Sequence, residues 1–218
     1  MVNSNRADQA GRPGVQVAEE HYVGPGYDSQ RRFASYWHQL HELLALEPES
    51  ILEVGKGSGF LSGYLARLKQ PAWTVDIDSR LAPDVVGSAL ELPFRDGGFD
   101  VVACFQVLEH LPYEHFPAAL AELRRVARRH VVLSLPNARR VYKLLLEVPK
   151  LGELKRLISL PCFPRKHRFK GQHYWEIGKR GYPLRDVLSR MRESGLRVCG
   201  QYRIFEHPYH HMFILGKD

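Results

Sequence analysis

Three glycines in the run Glu53-Val54-Gly55-Lys56-Gly57-Ser58-Gly59-Phe60 constrain what this chain can fold into more than its composition does. The apolar run 50–54 suits a buried parallel strand, and positions 60–68 then place Phe60, Leu61, Tyr64, Leu65 and Leu68 at helical spacing. The glycines therefore fall at a strand-to-helix turn. Lacking a Cβ, they let the backbone take positive φ and approach a ligand, while the first N–H groups of the helix point at it. Asp76 ends the next apolar run, 72–75. A carboxylate at that strand's carboxyl edge is placed to accept both hydroxyls of a ribose. A glycine floor and a ribose anchor together describe a nucleoside site.

The kind of nucleoside follows from the spacing. A dinucleotide fingerprint reads G-x-G-x-x-G, but position 60 is Phe and the glycines run G-x-G-x-G. Glu53, two residues before the first glycine, would repel a pyrophosphate and suits a ligand carrying an ammonium and a sulfonium. This pattern resembles the class I S-adenosylmethionine-dependent methyltransferases, specifically their small type 11-like methyltransferase domains. Later segments extend the resemblance in order: Leu92-Pro93-Phe94 before Gly98-Phe99-Asp100, then Gln106-Val107-Leu108-Glu109-His110-Leu111, then 131–137 ending in Pro136-Asn137.

The resemblance implies an α/β, Rossmann-like three-layer sandwich with a seven-stranded, mostly parallel sheet whose last strand is antiparallel. It also implies S-adenosyl-L-methionine as cofactor and S-adenosyl-L-homocysteine as product. Gly55, Gly57 and Gly59 would approach the methionine part, Glu53 its ammonium, Asp76 the ribose and Ile77 the adenine. Ser88, Ala89 and Leu90 would lie at the adenine edge, with Phe105 and Gln106 beneath the methionine. Ser88 stands where many family members have an acid, and a neutral hydroxyl holds the adenine amino group less firmly than a charge.

With 218 residues, 44% of them hydrophobic, the chain suffices for one well-buried domain with appendages. Residues 1–20 are polar and aperiodic, which reads as a disordered or loosely attached tail. The domain, 21–218, divides into an N-terminal lid and helix (21–49), a cofactor-binding core (50–137), a basic insertion (138–182), and a last helix with a closing hairpin (183–218). Tyr22, Tyr27, Arg31 and Tyr36 are candidate lid residues, whereas Phe33 and Trp37 read as helix-packing aromatics. Positions 117–129 read as a helix ending in Arg124, Arg125, Arg128 and Arg129. No apolar run is long enough to span a bilayer, and the start lacks a signal-peptide core, so a cytoplasmic protein is expected. Cys104, Cys162 and Cys199 have no metal-ligand spacing and read as reduced thiols.

Charge divides the chain unevenly. Through Asn137 there are 13 Lys and Arg against 17 Asp and Glu; from Ala138 onward there are 18 against 7. The half expected to choose the acceptor is thus strongly basic, which suits an anionic substrate or surface and equally a solvated basic face. Within it, the connection 138–181 carries an apolar periodicity interleaved with Lys and Arg, the pattern of basic amphipathic helices. Such a segment packs its stripe on the sheet or rests on an anionic membrane, making peripheral membrane contact through 138–170 a candidate.

Methyl transfer from a sulfonium needs positioning and exclusion of water, and a base only where the acceptor must lose a proton. His110, His173 and His207 are the candidate catalytic residues, with Glu176 and His210 as further titratable groups. In the segment 171–178, Trp175 reads equally as a substrate wall or as an anchor for the returning chain. His207, His210 and His211 fit no zinc signature, so no metal is expected. The expected activity is methylation, at oxygen, of a small molecule or a glycan- or lipid-linked intermediate. The alternatives are an RNA methyltransferase, disfavoured because no RNA-binding module or Asn-Pro-Pro-Tyr signature is present, and a non-catalytic module that keeps the fold for a partner.

Overall fold

The computed structural model describes residues 14, 15, 17, 19–22, 26–150, 152–159 and 163–217. In chain order they form α1 (Gln30–Ala45), β1 (Ile51–Val54), α2 (Phe60–Arg67), β2 (Ala72–Asp76), β3 (Val85–Val86) and β4 (Phe99–Phe105). There follow α3 (Phe116–Val126), β5 (Ala127–Pro136), β6 (Val141–Val148), β7 (Gly152–Ser159), α4 (Leu184–Glu193), β8 (Leu196–Arg203) and β9 (His210–Lys217). Seven strands make one sheet in the order β3-β2-β1-β4-β5-β9-β8, and β6 and β7 pair separately. Strands β1 to β5 run parallel, and β9, the last strand of the chain, lies antiparallel to both β5 and β8.

Alternation along the central strands builds the three layers. Ile51, Val101, Ala103 and Val132 point to one face, where Leu43 of α1 and Leu61 and Leu65 of α2 cover them. Leu52, Val54, Val102 and Cys104 point to the other, under Leu120 and Leu123 of α3 and Val187 and Met191 of α4. Each fully buried leucine contributes about 2 kcal/mol of apolar transfer free energy. Chain order reverses between β1 and β4, and a sheet of this kind opens a crevice at the carboxyl ends of the strands flanking such a reversal.

Three expectations are corrected. Helix α3 ends at Val126, so Arg128 and Arg129 belong to β5 rather than to the helix. Arg128 donates to Asp100 Oδ1 at 2.8 Å and Arg129 to the Leu46 carbonyl at 2.8 Å, so pairing to neighbouring elements outweighs local helical preference. The basic connection forms a β-hairpin, not amphipathic helices, because Lys150 and Gly152 take positive φ at its tip and turn the chain back. Phe33 and Trp37 do not pack α1 on the sheet: they are 49% and 59% exposed. Phe33 meets the edge of Phe60, and Trp37 stacks on His41. Of the expected tail, 1–13, 16 and 18 lie outside the described residues, while Gly14, Val15 and Val17 line the crevice.

Candidate active site

The glycine loop is held in place by the carboxylate expected to hold ribose. Asp76 Oδ2 accepts the Lys56 N–H at 2.8 Å and Oδ1 accepts the Asp78 N–H at 2.9 Å, which fixes the carboxyl group and ties the β1 turn to the end of β2. Each oxygen keeps a lone pair for a further donor. At Gly55, where φ is +87°, a Cβ would stand 2.3 Å from Val107 Cγ2, so only glycine lets the β1 and β4 turns approach this closely. Gln106, at the end of β4, takes a positive φ of 56°, an uncommon conformation for a side-chain-bearing residue. Its N–H is held by the Ser134 carbonyl at 3.1 Å.

The crevice at these turns is lined by Glu53, Gly55, Gly57, Asp76, Ile77, Ser88, Ala89, Phe105 and Gln106. Gly59 and Leu90 stand outside the lining. Gly59 instead takes the left-handed conformation that caps α2, and the Leu90 N–H donates to Ser88 Oγ at 3.2 Å. The N-terminal segment roofs the crevice. The Tyr22 ring stands 3.6 Å from a Cβ built at Gly57, and Tyr27 and Tyr36 complete the wall. Tyr36 stacks on Phe60 with ring centroids 4.2 Å apart, and its hydroxyl donates to Asp28 at 3.0 Å. Arg32, not Arg31, lines the cavity, with its guanidinium 3.8 Å above the Tyr27 ring. One helical position separates the two arginines, so spacing alone could not choose between them. Lys56 points its ammonium at the Ala82 carbonyl.

Glu53 is the electrostatic centre of this crevice. It is 5% exposed, its Oε2 has no hydrogen-bond partner, and burial pushes its carboxyl up to about 8 although hydrogen bonds from Ser62 pull the other way. A buried carboxyl with an unmatched oxygen on a ligand wall fits a cation that brings its own N–H donors, such as the ammonium of a bound amino acid.

A second cavity opens from the first. Val17, Tyr22, Tyr27, Arg32, Gln106 and His110 line both, and the second continues past His21, Gln172, His173, His207, Tyr209 and His210. The three histidines expected from the sequence thus border one space. Burial first, and then His173, hold His110 down at about 4. Burial, with Arg32 and Arg31 nearby, holds His207 down at about 4 as well. His207 Nδ1 lies 2.9 Å from Ser35 Oγ, which itself donates to the Arg31 carbonyl. For His173, burial opposes the charge, but Glu176 and Glu109 outweigh it and raise the imidazole. Burial alone would raise Glu176; His173 and the Tyr209 hydroxyl, 2.8 Å away, bring it instead down to about 2. His210 is buried and held well below its ordinary value, chiefly by desolvation.

The reading of Trp175 left open by the sequence is decided by packing. Trp175 is fully buried, donates to the Leu111 carbonyl at 3.2 Å and packs on Tyr113 and Phe116, so it anchors the returning chain. His211 turns away from the cavity, bonding Asn137 and Gln201 and stacking on Phe213. Sequence reasoning missed Arg32 and the contribution of Gly14, Val15 and Val17, none of which carries a distinguishing motif, and it assigned no role to Val107 although the segment 106–111 was singled out.

Residues 52–135, the strands and turns that build the crevice, match the family model described as a methyltransferase domain. No curated protein sequence matches the chain. Among solved structures, the 1,6-didemethyltoxoflavin-N1-methyltransferase of Burkholderia thailandensis is 16% identical, with a TM-score of 0.54 over 86% of this chain and 77% of that one. The magnesium protoporphyrin IX methyltransferase of Synechocystis, solved with S-adenosylmethionine, is 16% identical, with a TM-score of 0.57 over 92% and 90%. A methyltransferase from Aquifex aeolicus is 15% identical, with a TM-score of 0.58 over 93% and 100%. At these identities the neighbours share the fold. The glycine turn, the fixed carboxylate of Asp76 and the switch-point crevice lie within the stretch 52–135 that matches a methyltransferase domain, and the chain has the α/β fold of the S-adenosylmethionine-dependent methyltransferases it resembles.

Proposed function

We propose that this protein methylates a hydroxyl oxygen of a lipid-linked acceptor, with S-adenosyl-L-methionine as donor and S-adenosyl-L-homocysteine as product. The observation that carries the reading is the junction of the two cavities at Gln106 and His110: one space suits a nucleoside with an ammonium, and the other is walled by imidazoles. When bound, the donor supplies an electrophilic sulfonium methyl group. The rest of the work falls to this chain. Glu53 takes the donor's ammonium, Asp76 the ribose hydroxyls, and Ile77 with Ala89 the adenine faces. Roofing by Tyr22, Tyr27 and Tyr36 excludes water, which favours transfer over solvolysis. His207 holds its Nδ1 proton toward Ser35, which leaves Nε2 to take the acceptor's proton as the methyl arrives, and His110 and His173 hold the acceptor.

The lipid-linked character rests on the hairpin. In its register Tyr142 faces Ile158, Leu144 faces Arg156 and Leu146 faces Leu154, so these six share one side, and all five apolar members are at least 42% exposed. The opposite side reaches the body of the protein, where Lys143 donates to the Glu206 carbonyl and Lys155 pairs with the Glu206 carboxylate. The stretch 138–170 holds ten Lys and Arg against two Glu, a charge that complements an anionic lipid surface. Among the described residues no helix is long and apolar enough to cross a membrane, so contact is peripheral. Free Cys104 and Cys199 suit the cytoplasm.

The test is incubation with methyl-labelled donor and a cell extract split into lipid, aqueous and RNA fractions. Label in the lipid fraction, reduced in His207→Ala, supports the reading; label confined to RNA would favour the nucleic-acid alternative. Flotation with phosphatidylglycerol vesicles should be lost in Leu144→Glu/Leu146→Glu. Equal flotation of both proteins would remove the membrane part, and dimerisation lost in that variant would assign the face to a second copy of the chain.

A further inference from the structure

We propose that Glu109, His110 and His173 hold a divalent transition-metal ion on the wall of the acceptor cavity, where it binds an acceptor through two adjacent oxygens. One carboxylate oxygen and one nitrogen of each imidazole lie within 4.8 Å of one another. An ion about 2.1 Å from each needs its ligand atoms no more than about 4.2 Å apart, so small side-chain rotations close the site. Two imidazoles and a carboxylate on one side of an ion suit zinc, iron, cobalt or manganese and leave positions open for substrate.

The surroundings are those of a ligand set rather than of a chance cluster. Glu109 is fully buried, and its Oε2 has no hydrogen-bond partner, a costly arrangement for a group that only fills space. Both imidazoles are oriented from behind. His110 Nδ1 lies 3.2 Å from the Gln172 carbonyl, which can only accept, so the proton sits on Nδ1 and the lone pair on Nε2. His173 Nδ1 lies 3.4 Å from Glu176 Oε1, and Tyr209 donates to the same oxygen at 2.8 Å. A carboxylate or carbonyl behind each imidazole is the outer shell that fixes tautomer and ring orientation in metal sites. Sequence spacing does not reveal this set, because Glu109 and His110 are adjacent in the chain, whereas His173 arrives from beyond the hairpin, brought by Trp175 and by the Tyr174 N–H on the Glu109 carbonyl at 2.9 Å.

The site faces the cavity junction, since His110 lines both spaces. An acceptor with neighbouring oxygens, such as a vicinal diol or a hydroxyl beside a phosphate, would chelate the ion. Coordination lowers the hydroxyl's pKa; its proton passes to His207 or water, the oxygen forms the new C–O bond, and the C–S bond breaks with its electron pair left on sulfur. This role rests on the methyl-transfer reading, whereas ion binding stands on the geometry alone.

The experiment loads chelator-stripped full-length protein with Co²⁺ and reads visible absorption and bound metal, beside calorimetry of S-adenosylhomocysteine on the same samples. Wild type should take up one Co²⁺ per chain with d–d bands. Glu109→Gln and His173→Ala should lose the bands and at least tenfold in Co²⁺ affinity while still binding S-adenosylhomocysteine, and His41→Ala and His207→Ala should keep them. Failure of folded wild type to bind Co²⁺ stoichiometrically, or retention of the bands in Glu109→Gln and His173→Ala, would overturn the site. Co²⁺ binding without any S-adenosylhomocysteine binding would leave the ion site standing and remove the methyl-transfer role.

Discussion

If Glu53 takes the ligand's ammonium, cofactor binding should depend on pH in a direction that its burial dictates. Without ligand its carboxyl sits at about 8, so at neutral pH it is mostly protonated. If the ligand's ammonium is held by the carboxylate, binding must expel that proton. For a group with this value the ionised fraction is about 0.01 at pH 6, about 0.1 at pH 7 and about 0.5 at pH 8. Affinity for S-adenosylhomocysteine should therefore rise about 50-fold from pH 6 to pH 8, or about 2.3 kcal/mol. At pH 7 about 0.9 proton should be released per ligand, read by titration calorimetry in buffers of different ionisation enthalpy. Glu53→Gln should abolish this component and bind more weakly at pH 8. Stability should move the other way. The folded carboxyl binds protons more tightly than the unfolded one, whose value is near 4.5, so ligand-free stability falls as pH rises between 4.5 and 8. Glu53→Gln escapes that loss, which amounts to about 3 kcal/mol at pH 7, and should melt higher than wild type without ligand. Equal pH slopes in the two proteins would refute the ammonium contact.

Other substitutions separate backbone geometry from side-chain chemistry. Gly55→Ala should cost at least about 2 kcal/mol and abolish cofactor binding, because its Cβ meets Val107 at 2.3 Å in a left-handed conformation. Gly63→Ala, inside α2 with nothing within 4 Å of the new Cβ, should instead raise stability by about 1 kcal/mol in denaturant unfolding. Trp175→Ala should lower stability by about 3–5 kcal/mol by emptying a fully buried site.

What the sequence made legible is what is local. The turn at Gly55 to Gly59, the strand ends at Glu53 and Asp76, and the closing β8–β9 pair are each encoded within a few residues by periodicity and a glycine or acid in a fixed place. The hairpin is not legible because 141–158 carries two periods at once: Val141, Leu144, Leu145 and Val148 fit a helix, and Tyr142, Leu144, Leu146 and Val148 fit a strand. Lys150 and Gly152, both at positive φ, decide between them by turning the chain. Arg128 and Arg129 have good helical propensity but enter β5 because their partners, Asp100 and the Leu46 carbonyl, lie far away in sequence. The grouping of Glu109, His110 and His173 is illegible for the same reason: it exists only once the segment around Trp175 has folded back.

We propose that the crevice at the β1–β4 switch point binds the methyl donor through its glycine turn and Asp76. Calorimetric titration of S-adenosylhomocysteine at pH 8 into wild type, Asp76→Ala and Gly57→Val tests it directly. Wild type should bind saturably, Asp76→Ala should lose about 30- to 150-fold in affinity, and Gly57→Val, whose side chain would enter the space beneath Tyr22, should not bind. No binding to folded wild type, or equal binding by all three, would contradict it.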